Sequence, residues 1–433
     1  MTVDPSLLQD LEARGLVHQI AEPHDAPLRE LLATQQTVYC GFDPTSTSLH
    51  VGNLIPLLAL RRFQQAGHRV IALAGGATGM VGDPSGKSAE RNLLTREQLQ
   101  QNLDGIKAQL RRFLDFDGPN AALLVDNLDW TADLRLLEFL RDTGKHFHVN
   151  VMIKKDSVRD RLEREGEGIS FTEFSYMLLQ ALDFQHLFER HGCRIQVGGS
   201  DQYGNITAGT ELIRRRLRGQ AYGLTFPLLL KSDGSKFGKT AGGDAVWLDP
   251  ARTSPFAFRQ FWFNTGDELV ITLLRRFTFL PLERIAELEA GLKERPQQAQ
   301  RALAIEMTAL VHGEETSLQV EKAAEVFFNP RGDLREMPPA MLEDAFAEAP
   351  TTELPRTRLE GEGISWWDLV VEVVYAGAQK RGAAKRDIES NAVALNGEKA
   401  ADPERRVTAA DLIHDRFLVL RKGKKQQFLA KVV

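Results

Sequence analysis

One stretch limits this chain more than any other: a short apolar strand that runs into a broken loop and then a helix. It spans Thr37 to Ala66 and opens Thr37-Val38-Tyr39-Cys40-Gly41-Phe42-Asp43-Pro44-Thr45. Asp43-Pro44 interrupts the strand, and His50-Val51-Gly52-Asn53 opens the helical part. Apolar residues recur at Val51, Leu54, Ile55 and Leu58, one face of a helix, until Gly67 ends it. A strand, loop and helix in this order is a building unit of a parallel sheet. The loop brings hydroxyls and His50 to a helix N-terminus. Free backbone N–H groups and the helix dipole make such a place suited to an anion.

The pattern repeats. Val70-Ile71-Ala72-Leu73-Ala74 runs into Gly75-Gly76, Ala121 to Val125 reads as another strand, and Arg194 to Val197 leads into Gly198-Gly199-Ser200-Asp201-Gln202. A further strand is expected over Phe226 to Leu230, and an amphipathic packing helix over Ser6 to Ile20. Thr95 to Phe113 reads as a polar surface helix. These elements make an α/β fold on a parallel sheet, in which ligands bind beyond the C-terminal ends of the strands.

The loop Gly75 to Ser88 tempts toward a P-loop. That motif needs four residues between its glycines before Lys-Ser; here three separate Gly82 from Gly86, and Asp83-Pro84 interrupts them. The P-loop is rejected, which leaves Lys87 and Arg91 as phosphate-seeking cations on a loop. A second glycine-rich segment, Lys231 to Thr240, carries Lys231, Lys236 and Lys239. Within the apolar run Phe171 to Asp183, Tyr176, Gln180 and Asp183 share one helical face. The stripe reads either as an internal hydrogen-bond network or as the wall of a pocket for a polar small molecule. His146 and His148 flank Phe147 without an acidic partner at ligand spacing, so they read as structural or interface residues.

From Ser254 to about Glu348 helical periodicity takes over. Ala349 to Gly363, rich in Pro, Thr, Gly and charge, reads as a linker. Ser365-Trp366-Trp367-Asp368 fits a helix cap, Lys380 to Glu389 a basic helix, and Asn396-Gly397 a hairpin turn. Arg416 to Val433 contains six basic residues and no acid, so a solvated tail is one reading of it.

Composition excludes several classes. The net charge of −5 does not advertise nucleic-acid binding, so any such surface must be local. Cys40 and Cys193 are the only cysteines, which speaks against a disulfide framework or a multi-cysteine zinc site and suits a reducing compartment. No signal peptide and no run of 18 apolar residues is visible, so a cytoplasmic location is the expectation.

Taken together, Pro44 to Asn53 resembles a HIGH-type signature and Lys236-Phe237-Gly238-Lys239-Thr240 a KMSKS-type loop, in the right order. With Tyr39 to Thr45 and Gly198 to Gln202, the chain resembles the bacterial-type tyrosyl-tRNA synthetases of class I over nearly its whole length. The resemblance implies a Rossmann-like catalytic domain over 1–252, a helical anticodon-side domain over 253–348, a linker over 349–363 and an S4-like RNA-binding domain over 364–433. It implies a homodimer that activates L-tyrosine with ATP and passes the tyrosyl group to the terminal adenosine of tRNA(Tyr). Mg2+ would be carried with ATP, and no protein-held metal is implied.

By the same resemblance, Tyr39 and Asp183 meet the substrate phenol, while Tyr176, Asp83 and Gln180 hold its ammonium group. Discrimination against phenylalanine follows, because losing the phenol strands buried polar groups. Thr45 and His50 face the pyrophosphate portion, with Lys87, Arg91, Lys236 and Lys239 over the phosphates. Cys40, Gly41, Asp43, Gly52, Asn53, Gly198, Asp201 and Gln202 surround the ATP and the reacting carboxyl. Lys380, Arg381, Lys385, Arg386, Arg421 and Lys422 are the implied tRNA contacts. Three departures stand out: Asn53 where the common signature has His, Phe237-Gly238 and Thr240 within the lysine loop, and Asn391 in place of a glycine before the hairpin. A tryptophanyl-tRNA synthetase, a cytidylyltransferase, or an RNA-binding protein on an inactive synthetase scaffold are the competing readings. The Tyr39 and Asp183 pair and the S4-like end count against the first two. His50, Asp83, Asp201, Lys236 and Lys239 count against the third.

Overall fold

The strand that opens at Thr37 lies in the middle of a six-stranded sheet. In chain order the strands are β1 (Gln19–Ala21), β2 (Thr37–Phe42), β3 (Arg69–Ala74), β4 (Leu123–Asp126), β5 (Cys193–Gly199) and β6 (Tyr222–Phe226). Their spatial order is β1-β6-β5-β2-β3-β4, parallel throughout except for the β1–β6 edge pair. These features come from a computed structural model that describes residues 3–85, 94–163, 168–229, 237–238, 244–295, 297–329, 332–347, 349–377, 380–423 and 426–433. The chain divides into two compact units, Met1–Arg252 with Gly266–Ala299, and Thr253–Thr265 with Gln300–Val433.

In the first unit, β3 is buried from Val70 to Ala74, as expected for a parallel strand covered on both faces. The Leu54–Gln65 helix buries Leu57, Leu58, Leu60 and Phe63. Gly67 follows it at φ +92, a conformation that L side chains rarely adopt. Two elements differ from the sequence expectation. The helix expected over 6–20 is shorter, Leu7–Ala13, because Gly15 turns left-handed at φ +66; the chain then straightens into β1. The strand expected over 226–230 lies at 222–226 instead. Pro227 has no N–H to continue the ladder, so the strand ends before it. Among the described residues no helix is long and apolar enough to cross a membrane.

Among its described residues the second unit holds the helices Pro255–Phe263, Glu314–Phe328 and Pro339–Ala345 and seven strands. These are β7 (Thr351–Leu354), β8 (Ile364–Ser365), β9 (Val393–Leu395), β10 (Glu398–Lys399), β11 (Arg406–Val407), β12 (Phe417–Lys422) and β13 (Gln426–Val432). Five of them form a sheet in the order β10-β9-β12-β13-β7, and β8 pairs β11. β7 falls inside the 349–363 stretch and runs parallel to β13 with Leu354 fully buried. Helices and sheet share a core: Phe256, Val320, Leu342 and Phe346 pack in one cluster with Ile413, Phe417, Val419 and Leu429. The basic stretch after Arg416 is therefore β12 and β13 rather than a solvated tail. Arg416 and Lys431 both pair with Glu343, at 3.3 and 2.6 Å. Asn396 and Gly397, at φ 48 and 89, make the two-residue turn between β9 and β10. Asn391 takes φ 55, as its replacement of a glycine requires.

Candidate active site

The C-terminal ends of β2, β3 and β5 open on one cavity of about 400 Å³. Its walls include Tyr39, Cys40, Gly41, Asp43, Thr45, His50, Gly52, Asn53, Asp83, Tyr176, Gln180, Asp183, Gly198, Asp201 and Gln202. The small-molecule residues singled out from sequence thus converge, apart from Lys87, Arg91, Lys236 and Lys239, which lie outside the described residues. Phe237 and Gly238, between the last two lysines, do line the cavity.

At the deep end sit Tyr39 and Asp183, 1% and 3% exposed. Asp183 Oδ1 accepts from the Trp130 indole N–H at 2.9 Å, and Oδ2 from the Asn127 amide at 2.9 Å. Asn127 is held in turn, its Oδ1 accepting the Ala77 N–H at 2.7 Å. Burial pushes the Asp183 carboxyl up to about 7, against the pull of those two donors. The Tyr39 hydroxyl is raised well above the usual range by burial and then by Asp183. That hydroxyl is buried with no partner among the described residues. An unpaired buried donor beside a carboxylate with capacity to accept is suited to a ligand hydroxyl.

The Phe171–His191 helix brings Tyr176, Gln180 and Asp183 to the same wall, so the polar stripe faces the cavity. Ser170 caps that helix, accepting from the Glu173 N–H. The Tyr176 hydroxyl donates to Asp43 Oδ2 at 2.8 Å, and Thr78 donates to Asp43 Oδ1 at 2.8 Å. Asp83 accepts from the Ser85 N–H at 2.9 Å and the Gln202 amide at 2.7 Å. This middle region carries two carboxylates and suits a cationic group.

Toward the mouth, His50 caps a short 3-10 helix, Val51–Asn53. Its Nδ1 accepts from the Gly52 N–H at 3.0 Å, so neutral His50 carries its proton on Nε2. Asn53 Oδ1 accepts from the His50 N–H at 3.0 Å, completing a capping box. A Cβ on Gly52 would stand 2.7 Å from His50 Cε1, so only glycine leaves this ring its place. Cys40 is buried and its thiol is pushed up to about 12 by burial, which makes it a wall rather than a nucleophile.

Sequence reasoning did not reach Thr78, Asn127 and Trp130. The signal that could have found them is position: Asn127 directly follows β4 and Thr78 lies just beyond β3, both at ligand-side strand ends.

In the second unit, Lys380, Arg381, Lys385 and Arg386 are exposed on and before the Arg381–Glu389 helix. The end of β12 joins them, since Lys422 pairs with Asp387 at 2.7 Å and donates to the Tyr375 hydroxyl at 2.6 Å. Arg421 is half-buried beside Lys422. Arg381 and Lys385 also have acids nearby, Asp368 at 3.2 Å and Glu389 at 3.9 Å, and both stand over the Trp367 ring.

With this geometry in place, comparison decides the family. The family described as tRNA synthetases class I (W and Y) matches residues 33–329. A Tyrosine--tRNA ligase SYY-like C-terminal domain matches residues 342–430. A tyrosine--tRNA ligase of Opitutus terrae is 52% identical over 99% of this chain and 100% of its own length. The chain belongs to the tyrosyl-tRNA synthetase family. A Rhodopirellula baltica tyrosine--tRNA ligase is 50% identical over 99% of this chain and 96% of its own. Among solved structures, a C-terminally truncated mitochondrial tyrosyl-tRNA synthetase of Aspergillus nidulans aligns with TM-score 0.67 at 33% identity, covering 74% of this chain and 94% of its own. The two family matches together span residues 33–329 and 342–430, so the resemblance to the family holds over nearly the whole chain.

Proposed function

We infer that the chain is a tyrosine–tRNA ligase. It joins L-tyrosine to ATP, giving tyrosyl-adenylate and pyrophosphate, and then transfers the tyrosyl group to the 3′-terminal adenosine of tRNA(Tyr). One observation carries this reading beyond family membership: the unpaired Tyr39 hydroxyl with Asp183, and the His50 loop, open on the same cavity. Its volume of about 400 Å³ is of the scale that encloses a small ligand.

In the first step an oxygen of the tyrosine carboxylate bonds to the α-phosphorus of ATP, and the bond to the β-phosphate breaks. No enzyme nucleophile takes part, so the residues position groups and stabilise charge. Tyr39 and Asp183 hold the phenol, Asp183 as acceptor and Tyr39 as donor. Tyr176, Asp83 and Gln180 hold the ammonium, with Asp43 behind Tyr176. Thr45 and the Nε2–H of His50 meet the leaving pyrophosphate. Cys40, Gly41, Gly52, Asn53, Gly198, Asp201 and Gln202 surround the nucleotide and the reacting carboxyl. Lys87, Arg91, Lys236 and Lys239 supply positive charge to the phosphates. Mg2+ would be carried in with ATP, held by phosphate and water.

The tRNA work falls to residues 253–348 on the anticodon side and to 364–433, where Lys380, Arg381, Lys385, Arg386, Arg421 and Lys422 meet the RNA backbone. The enzyme works as a homodimer in the cytoplasm. Support for the dimer comes from the exposed apolar residues Leu136, Leu137, Val149 and Phe171, exposed by 57 to 78%. The deciding experiment is pyrophosphate exchange into ATP with tyrosine, phenylalanine or tryptophan as the amino acid. Exchange with tyrosine alone is expected, and equal exchange with phenylalanine refutes the reading.

A further inference from the structure

The loop that carries Thr45 and His50 is stitched to a segment nearly two hundred residues later. The Val51 N–H donates to the Val246 carbonyl at 2.9 Å, and the Leu248 N–H to the Leu49 carbonyl at 2.9 Å. His50 and Trp247 form an antiparallel bridge between them, and the Asp249 N–H donates to Ser48 Oγ at 3.2 Å. The two rings of that bridge meet edge to face, with centroids 5.9 Å apart and planes at 73°. Arg252 closes the arrangement from outside. Its guanidinium carbon stands 3.4 Å from the Trp247 ring centroid, and its Nη1 donates to Ser46 Oγ.

A guanidinium can do both at once because it is planar and forked: one face stacks on the indole while an edge N–H reaches the hydroxyl. Both partners belong to the same task. Ser46 follows Thr45 directly, and Trp247 sets the face against which the His50 ring leans. Arg252 itself is exposed and does not line the cavity. Burial does not explain its placement; the stack on Trp247 and the bond to Ser46 do.

We propose that Arg252, through Trp247 and Ser46, is a positioning residue for the Thr45–His50 loop in the ATP half of the reaction. It acts at a distance from the tyrosine subsite, which lies at the other end of the cavity. The proposal rests on the ligase reading above. A shift of the loop on the order of 1 Å is enough to cost a reaction of this kind up to about 100-fold.

The test uses the full-length wild type with the variants Arg252→Ala, Arg252→Lys and Ser46→Ala. Pyrophosphate exchange gives kcat and KM separately for ATP and for tyrosine, and tyrosine binding without ATP gives an independent Kd. Arg252→Ala is expected to lower kcat/KM for ATP about 10-fold while the tyrosine Kd stays within about twofold. Arg252→Lys keeps a cation over the ring but loses the planar stack, so it is expected to recover part of the loss. Ser46→Ala is expected to lower kcat/KM for ATP in the same direction by a smaller factor. An Arg252→Ala enzyme within twofold of wild type on ATP overturns the proposal. So does a loss shared equally by ATP kinetics and tyrosine affinity, which is the signature of a merely structural residue. A wild type that fails to exchange with tyrosine refutes the ligase reading instead, so the two failures are distinguishable.

Discussion

At the scale of single residues, the proposed recognition of the phenol turns on Tyr39 and Asp183. Asp183 already accepts from Trp130 and Asn127, yet a carboxylate has capacity for further donors. A phenol O–H entering beside it finds an acceptor, and its oxygen can accept a hydrogen bond from the unpaired Tyr39 hydroxyl. Tyr39→Phe removes one neutral hydrogen bond, so kcat/KM for tyrosine is expected to fall about 3- to 10-fold. Asp183→Asn removes a charged acceptor, and a fall of about 10- to 100-fold is expected. Phenylalanine kinetics should barely move in either variant, so the tyrosine-to-phenylalanine ratio is the measurement that checks both. The raised Asp183 carboxyl adds a pH dependence. Its proton is lost near pH 7 in the folded chain, far above the ordinary carboxylate value of 3.8. The folded state therefore holds this proton more tightly than the unfolded state. The contribution to stability is greatest in acid and is lost as pH rises through about 7. Binding has the opposite sign, since in the proposed site the ionised form accepts the phenol. Tyrosine affinity should weaken as pH is lowered from 8 to 6, and binding titrations of Asp183→Asn should show that slope abolished.

At the scale of elements, the first anion-binding expectation for the Thr37–Ala66 segment gains an internal logic. The 3-10 turn Val51–Asn53 is locked by two reciprocal bonds, Gly52 N–H to His50 and His50 N–H to Asn53. Asn53, read from sequence as a departure, is the acceptor that ties down the His50 backbone. Asn53→Ala is expected to remove about 1 kcal/mol of local capping and to lower kcat/KM for ATP a few-fold. Gly52→Ala should do more, because its Cβ would meet the His50 ring at 2.7 Å and must displace it. A loss of about 10-fold or more in ATP kinetics with unchanged tyrosine binding is expected. What was legible here was local: alternation of apolar residues, breakers at Gly and Pro, and the i, i+4, i+7 spacing of Tyr176, Gln180 and Asp183. What was not legible depended on chain-distant partners. Nothing near Asp183 in sequence announces Trp130 or Asn127, and nothing near Ser46 announces Arg252. The 349–363 stretch shows the same limit from the other side. Its composition reads as a linker, yet Thr351–Leu354 finds an open edge on β13 that only the folded sheet supplies.

At the scale of the whole molecule, the proposed dimer and the proposed tRNA contact each make a test. In the proposed dimer the exposed apolar residues Leu136, Leu137, Val149 and Phe171 bury against the second copy, so Leu137→Glu combined with Phe171→Glu is expected to sediment as a monomer at micromolar concentration. The basic surface calls for a different test than removal of the C-terminal part. Cutting after Gly363 would strip Ile413, Phe417, Val419 and Leu429 from the core they share with Phe256, Val320 and Phe346. Lost tRNA charging would then report an opened core as much as a lost RNA surface. Neutralising the exposed cations leaves that core intact, because Lys380, Arg381, Lys385 and Arg386 contribute no side chain to it. Phosphate contacts release counterions, so each lost contact lowers both the affinity and its dependence on salt. The variant with all four changed to Gln is therefore expected to keep pyrophosphate exchange within about twofold. Its KM for tRNA should rise at least about 10-fold at moderate salt, and the slope of log KM against log salt should shrink by about one for each contact removed. Arg381 and Lys385 have Asp368 and Glu389 nearby, so they give up an existing partner on meeting RNA and should contribute less than Lys380 and Arg386. Measuring the single variants against the salt slope separates these two pairs. An unchanged slope in the fourfold variant would move the RNA contact away from this helix.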